Sequence, residues 1–139
     1  MARDFDGVSY IEDIVRFRGS PLEVEKAIIN TASLDGYICE VGLEQDPGQA
    51  GVADVDNLTR KLNGYNVRTY RVTKAKELRA TPLSAQCEAG NVKLVNGPWI
   101  EDFLKELETF PLGEHDDQVD AASGAFNALN EDILNYLVS

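Results

Sequence analysis

The sequence predicts an α/β fold, because strand-like segments alternate along the chain with segments of helical periodicity. The order strand, helix, strand, helix, strand over residues 8–72 indicates parallel pairing in its second half. The short, mostly apolar run at residues 37–43 is typical of a central strand. A length of 139 residues matches one domain, so we expect residues 1–139 to form a single domain.

The first predicted strand covers residues 8–17, where β-branched and aromatic residues are frequent and alternate between the two faces. Asp6-Gly7 just before it is a turn signal of a β-hairpin, which needs a partner strand on its N-terminal side. Only five residues precede this turn. We therefore expect the chain to begin inside a fold whose opening strand is missing.

A helix is predicted next over residues 21–33, because Ser20 and Glu23 form a capping-box pattern with Pro21 at the first helical position. Apolar residues at nearly helical spacing support it. The central strand at residues 37–43 follows, and its C-terminal end delivers Glu44.

The remaining elements follow from turn signals and periodicity. Asn63-Gly64 ends a helix, Asn96-Gly97 bounds a strand, and Pro111 with Gly113 ends another helix. The predicted elements are a helix over residues 52–62, a strand over 66–72, a short helix over 82–88, a strand over 91–95, a helix from about 98 to 110, and a last helix that begins within 114–117.

Composition restricts the function classes. The net charge of -11 argues against strong nucleic-acid binding, because affinity for phosphates comes mainly from Lys and Arg. Carboxylates that hold divalent cations would, however, contribute to such a charge. No apolar run is long enough for a membrane span and no signal peptide opens the chain, so we expect a soluble, cytoplasmic protein. Cys39 and Cys87 lack metal-ligand spacing, and we expect buried free thiols.

The strongest local signal is the acidic segment EHDDQVDA at residues 114–121. Asp117 and Asp120 are three residues apart and share a helical face, while Asp116 lies on a neighbouring one. Acidic residues at a helix start are favoured by capping and by the helix dipole, which gives a purely structural interpretation. The same carboxylates could instead hold Mg²⁺ or Mn²⁺. The pattern leaves both interpretations open.

Other candidate residues lie elsewhere in the chain. Glu44, at the carboxyl end of a strand, would add a second carboxylate source of the kind that two-metal phosphodiester hydrolysis needs, or it is a solvated loop acid. Lys76 and Arg79 are candidate phosphate contacts or part of a solvated face. His115, the only histidine, could cap the helix, contact DNA, assist proton transfer or serve only as a hydrogen-bonded structural residue.

Several segments, in their order and spacing, resemble the C-terminal nuclease domain of tailed-phage terminase large subunits. The match spans nearly the whole chain, and its specificity comes from the combination, since each segment alone is a weak signal. The segments are residues 11–25, 43–51, 76–86, 90–92, 103–107, 110–111 and 115–121.

The resemblance implies an RNase H-like mixed sheet flanked by helices, and an endonuclease that cuts concatemeric double-stranded DNA during genome packaging. It implies two divalent cations, Mg²⁺ or Mn²⁺, held by acidic residues. The second acid motif of the family falls on Glu44, and the late motif falls on Asp117 and Asp120 with Asp116 adjacent. The implied partners are phage DNA, the terminase small subunit and the portal, in the cytoplasm of a bacterial host.

The sequence departs from the family pattern at its start. Family members carry an aspartate on the first strand of the sheet, a strand's length before the position of the Asp6-Gly7 turn. Asp4 and Asp6 are poor substitutes for this aspartate, because they lie at the predicted hairpin turn. We therefore expect a chain that is catalytically weak or inactive, without the ATPase domain that accompanies this domain in the family. An exposed sheet edge would be covered by self-association or by rearranged strand pairing.

Two other functions stay open on the sequence alone. A non-catalytic prophage remnant would keep the fold and act only as a protein-interaction module, which the acidic composition allows. An unrelated α/β binding domain would explain the composition, but it would not explain the ordered resemblance.

Overall fold

The computed structural model describes the backbone of residues 1–138 and the side chains of residues 1–131. Contacts divide the chain into a first unit, Met1–Arg16 with Lys74–Ser139, and a second unit, Phe17–Thr73. The elements in chain order are β1 (Ala2–Arg3), β2 (Ser9–Ile11), α1 (Pro21–Asp35), β3 (Glu40–Gln45), α2 (Gln49–Lys61), β4 (Asn66–Arg71), α3 (Lys76–Glu88), β5 (Val92–Leu94), α4 (Ile100–Thr109) and α5 (Asp117–Val138).

The first unit begins with a β-hairpin. β1 pairs antiparallel with β2, with Ala2 opposite Tyr10, and the turn between them places Gly7 at a φ of 86°, which favours glycine. The hairpin prediction is confirmed, but its partner strand lies inside the chain, so the hairpin itself does not require a missing strand. β2 is also much shorter than the predicted strand. The expectation that the family's aspartate-bearing strand is lacking stays a prediction.

Three helices and a three-stranded sheet bury the core of the first unit. β2 also pairs in parallel with β5, which gives the strand order β1-β2-β5. α3 and α5 pack closely together, and α4 also contacts α5. The buried core residues are Ile11, Ala80, Leu83, Trp99, Phe103, Val119, Ala122 and Phe126.

The second unit contains a parallel β3–α2–β4 arrangement preceded by α1. β3 and β4 pair from Glu40 opposite Asn66 to Gln45 opposite Arg71. The predicted capping box of α1 is confirmed, since Glu23 N–H donates to Ser20 Oγ and Ser20 N–H donates to the Glu23 carboxylate. The buried core residues are Ala32, Leu43, Val55 and Leu62.

The predicted α/β class is confirmed by the order of the elements, with three corrections of detail. α3 begins at Lys76 rather than Pro82, because Pro82 lies inside the helix and does not start it. Within residues 1–138 the strands form two separate sheets, and no strand pairs with strands of both. Cys39 and Cys87 are exposed rather than buried. None of the described helices is both long and apolar enough to cross a membrane.

Candidate active site

The acidic start of α5 faces the basic start of α3. Lys76 Nζ lies 2.8 Å from Asp116 Oδ1 and 3.1 Å from Asp120 Oδ2. Arg79 Nη1 lies 3.8 Å from Asp120 Oδ1. Asp116 and Asp120 are four residues apart, and Lys76 and Arg79 are three apart, so each pair projects from one side of its helix. The four residues therefore form one charge cluster within the first unit.

The two helices that carry this cluster are held together by further contacts. Asn127 Nδ2 in α5 donates to the Arg79 carbonyl in α3 at 3.0 Å. Ala80 and Leu83 of α3 share the buried core with Val119, Ala122 and Phe126 of α5. Burial of these apolar side chains fixes which faces of the two helices meet. Lys76 begins α3 and Asp116 directly precedes α5, so the charge cluster lies where the two helices start.

Opposite charges balance in this cluster, where Lys76 and Arg79 face Asp116 and Asp120. Hydrogen bonds to Asp116 and then to Asp120 raise the pKa of Lys76, so its ammonium stays charged at neutral pH. Asp120 Oδ1 is buried and has no hydrogen-bond partner among the described residues. The Arg79 guanidinium, 3.8 Å from this oxygen, places a positive charge beside it, which lowers the cost of its burial.

The donor chemistry of this cluster fits a hard divalent cation. Carboxylate oxygens are the ligands that Mg²⁺ and Mn²⁺ prefer. Asp116 and Asp120 share the Lys76 ammonium, and Arg79 lies beside the other oxygen of Asp120. Among the side chains that the structure describes, no group of three or more His, Cys, Asp or Glu residues is arranged to hold one metal ion. Asp116 and Asp120 therefore bring together two carboxylates of the donor type that such an ion prefers.

Two predicted site residues of the first unit lie outside these contacts. Asp117 and His115 are both exposed, and Asp116 rather than Asp117 joins Asp120 around Lys76. The predicted roles of Asp117 and His115 stay predictions. At the start of α5, the carboxylate of Asp117 is therefore exposed, whereas those of Asp116 and Asp120 are partly buried.

Glu44 belongs to the second unit and lies within β3, where it pairs with Tyr70 rather than following the strand. It is exposed, on the sheet face opposite buried Leu43. Glu40 on the same face accepts a hydrogen bond from Tyr70 Oη at 2.5 Å, and Arg68 lies 5.1 Å from the centre of the Tyr70 ring. This face is polar and charged, and the pairing of Glu44 with the late aspartates stays a prediction.

One residue of this region was missed by the sequence reasoning. Glu106 in α4 is only 6% exposed, and its carboxylate accepts hydrogen bonds from the backbone N–H of Val119 and from Gln118 Nε2. The signal that could have found it is its position, three residues after Phe103 and four before Phe110 on the helix face that carries apolar residues. A charged residue at such a position needs a buried partner.

The alternating elements and the acidic start of the last helix define an α/β domain with carboxylates at the start of α5. A family model described as a terminase RNaseH-like domain matches residues 1–129, so it covers residues of both units. The chain belongs to this family of terminase RNase H-like domains. No curated protein and no solved structure gave a match.

Proposed function

We propose that this chain belongs to the nuclease domain of a tailed-phage terminase large subunit, a domain that cuts concatemeric double-stranded DNA with divalent cations, and that the chain by itself is catalytically weak or inactive. The observation that carries the proposal is the pair of carboxylates of Asp116 and Asp120 at the start of α5, which meet at the Lys76 ammonium inside the region matched by the family. The buried Oδ1 of Asp120, which has no hydrogen-bond partner among the described residues, supports it.

The residues proposed to hold Mg²⁺ or Mn²⁺ are Asp116, Asp117, Asp120 and Glu44. Such ions, when bound, polarise the scissile phosphate and make water a better nucleophile. Within this chain, Glu106 and the α3–α5 packing fix the helix that carries the aspartates, whereas β3 fixes the backbone of Glu44. Aspartates held on a fixed helix lower the reorganisation needed at the reacting phosphate.

Lys76 and Arg79 are the proposed DNA contacts. They are the cations nearest the acidic cluster, and Lys76 is about half exposed, so it can exchange a carboxylate partner for a phosphate. The terminase small subunit and the portal are proposed as protein partners, in the cytoplasm of the bacterial host. The net charge of -11 implies that this chain needs bound cations or such partners to hold DNA.

The experiment that tests the proposal measures Mn²⁺ binding by calorimetry, together with cleavage of a supercoiled plasmid. The wild type is compared with Asp117→Ala and Asp120→Ala. Asp102→Ala is the matched control, because Asp102 is an exposed aspartate in the first turn of α4, as Asp117 is in α5. We expect both site variants to lose Mn²⁺ affinity and the control to retain it.

A second candidate function is a non-catalytic interaction module. The observation in its favour is that the described side chains bring together no three metal-binding donors. Absence of Mn²⁺ binding by the folded wild type at millimolar metal would support this alternative and contradict the nuclease proposal. Mn²⁺ binding that survives in both aspartate variants would also contradict the proposed site.

A further inference from the structure

The start of α5 is capped by a side chain from another helix. Val119 is the third residue of α5, and its backbone N–H is one of those at a helix start that lack an acceptor within the helix. Glu106 Oε1 accepts this N–H at 2.9 Å, and Glu106 Oε2 accepts Gln118 Nε2 at 2.8 Å. Glu106 and Gln118 are only 6% and 4% exposed, so water competes little for these hydrogen bonds.

This cap changes what Asp116 does. Asp116 directly precedes α5, and its carbonyl accepts the Asp120 N–H at 2.9 Å, so it occupies the N-cap position. An aspartate at this position ordinarily accepts the N–H of the second or third helical residue through its carboxylate. Here Glu106 takes the third N–H, and the Asp116 carboxylate lies 2.8 Å from Lys76 Nζ instead.

We infer that Glu106 is a positioning residue that caps α5 in place of Asp116 and thereby keeps the Asp116 carboxylate available for a cation. Without the Glu106 oxygen, the Val119 N–H loses its acceptor, and Asp116 at the N-cap is the residue whose carboxylate ordinarily accepts such an N–H. Its carboxylate would then turn toward the helix axis and away from Lys76 and Asp120. The part of this inference that concerns metal binding rests on the proposed function, whereas the capping does not.

Two substitutions at Glu106 separate the reach of the side chain from its charge. Glu106→Asp keeps the charge but shortens the side chain by one methylene, so the carboxylate no longer reaches Val119. Glu106→Gln keeps the reach and an acceptor oxygen but removes the charge, and the Gln118 amide can turn to present its own oxygen. A capping role predicts that Glu106→Asp is defective and that Glu106→Gln is close to wild type.

The first measurement is amide hydrogen exchange of Val119 by NMR in the metal-free chain. We expect Glu106→Asp to accelerate it by about tenfold or more, because a hydrogen bond to a charged acceptor is worth at least that factor. Asp116→Ala as a single substitution should leave the exchange of the Val119 amide unchanged. In the Glu106→Asp background the same Asp116→Ala change should accelerate exchange further, because Asp116 has become the cap there.

The second measurement is Mn²⁺ affinity by calorimetry on the same variants. We expect Glu106→Asp to weaken binding by roughly 10- to 100-fold, the usual effect of removing a residue that orients a metal ligand. Glu106→Gln should stay close to wild type. Glu108→Asp and Glu108→Gln are the matched controls, because Glu108 is an exposed glutamate on the same helix.

The inference is overturned if Val119 exchange is unchanged in Glu106→Asp, or if Glu106→Gln weakens Mn²⁺ binding as much as Glu106→Asp does. If Glu106→Asp does not fold, Glu106→Gln decides alone, since retained affinity supports capping and a loss of about tenfold overturns it. A wild type that binds no Mn²⁺ refutes the proposed function, and the exchange measurements then decide the capping separately.

Discussion

Lys76 determines the charge balance at the start of α5. Its ammonium contacts Asp116 and Asp120, and hydrogen bonds to these two carboxylates raise its pKa. A divalent cation that approaches the same two carboxylates meets the positive charge of Lys76. Lys76 therefore competes with metal for the aspartates and, when not bound to them, offers a charge to DNA phosphate.

The first residue-scale prediction concerns this competition. Lys76→Met should tighten Mn²⁺ binding by about fivefold, a modest effect because ion pairs of exposed side chains are weak. The same change should weaken DNA binding and reduce its salt dependence. Calorimetry with Mn²⁺ and a salt series of DNA binding check the two effects.

Lys74→Met is the control, because Lys74 is an exposed lysine two residues earlier and outside the charge cluster. It should leave Mn²⁺ affinity unchanged. Mn²⁺ binding that weakens in Lys76→Met would show that Lys76 organises the aspartates rather than competing for them.

At the scale of elements, short local patterns decide where helices and turns begin. The Ser20–Glu23 capping box starts α1, and hydrogen bonds to Glu23 lower the pKa of its carboxyl group. In the β1–β2 turn, Asp4 accepts hydrogen bonds from the N–H groups of Val8 and Asp6 and from Tyr10 Oη. In the α1 cap and in the β1–β2 turn alike, side-chain oxygens accept hydrogen bonds from backbone N–H groups.

We predict that Ser20→Ala lowers the free energy of unfolding by about 1 kcal/mol, because it removes the N-cap acceptor of α1. Urea unfolding followed by circular dichroism measures this change. Ser33→Ala is the control, since Ser33 is an exposed serine inside the same helix. Equal stability of the two variants would show that the cap contributes nothing to α1.

A second element-scale prediction concerns pH. The hydrogen bond from Val8 N–H, with smaller contributions from Tyr10 and Asp6, lowers the pKa of Asp4. Asp4 therefore contributes stability above the ordinary aspartate pKa of about 4, and this contribution is lost as the pH falls through its lowered folded-state value. Asp4→Ala should lower Tm at neutral pH and match the wild type in strong acid.

Thermal unfolding across a pH series checks the Asp4 prediction, with Asp6→Ala as the control because the Asp6 side chain is exposed in the same turn. A Tm difference between wild type and Asp4→Ala that persists unchanged into strong acid would contradict it. The difference for Asp6→Ala should be small at every pH.

At the scale of the whole molecule, strand edges and apolar side chains remain uncovered. The described strands form sheets of three and two strands, so β1, β5 and both strands of the smaller sheet each have an unpaired edge within residues 1–138. Phe5 and Ile38 are almost fully exposed. Unpaired edges and exposed apolar side chains favour association with another chain.

We predict that the chain self-associates at micromolar concentration, as measured by sedimentation velocity. Phe5→Lys combined with Ile38→Lys should reduce the association. Added lysines lower the net negative charge and therefore the repulsion between chains, which by itself would favour association. Reduced association of the variant must therefore come from the loss of apolar surface. Thr31→Lys combined with Ser33→Lys adds the same charge at exposed positions of α1 and is the control. A wild type that sediments as a monomer would contradict the prediction.

The sequence by itself determined the local structure and the family. The α1 start, the β1–β2 turn and the β4 segment were predictable because caps, turns and alternation depend on residues only a few positions apart. The acidic residues of the last helix were also visible, because their spacing and the family resemblance are properties of the sequence.

Only the tertiary structure decided how these residues are used. It paired Lys76 with Asp116 and Asp120, which are 40 or more positions away, and it buried Glu106 against the start of α5. It also divided the strands between two sheets. Such contacts depend on which helix faces and strand edges meet, and that is set by burial of apolar side chains from distant segments, which no local pattern records.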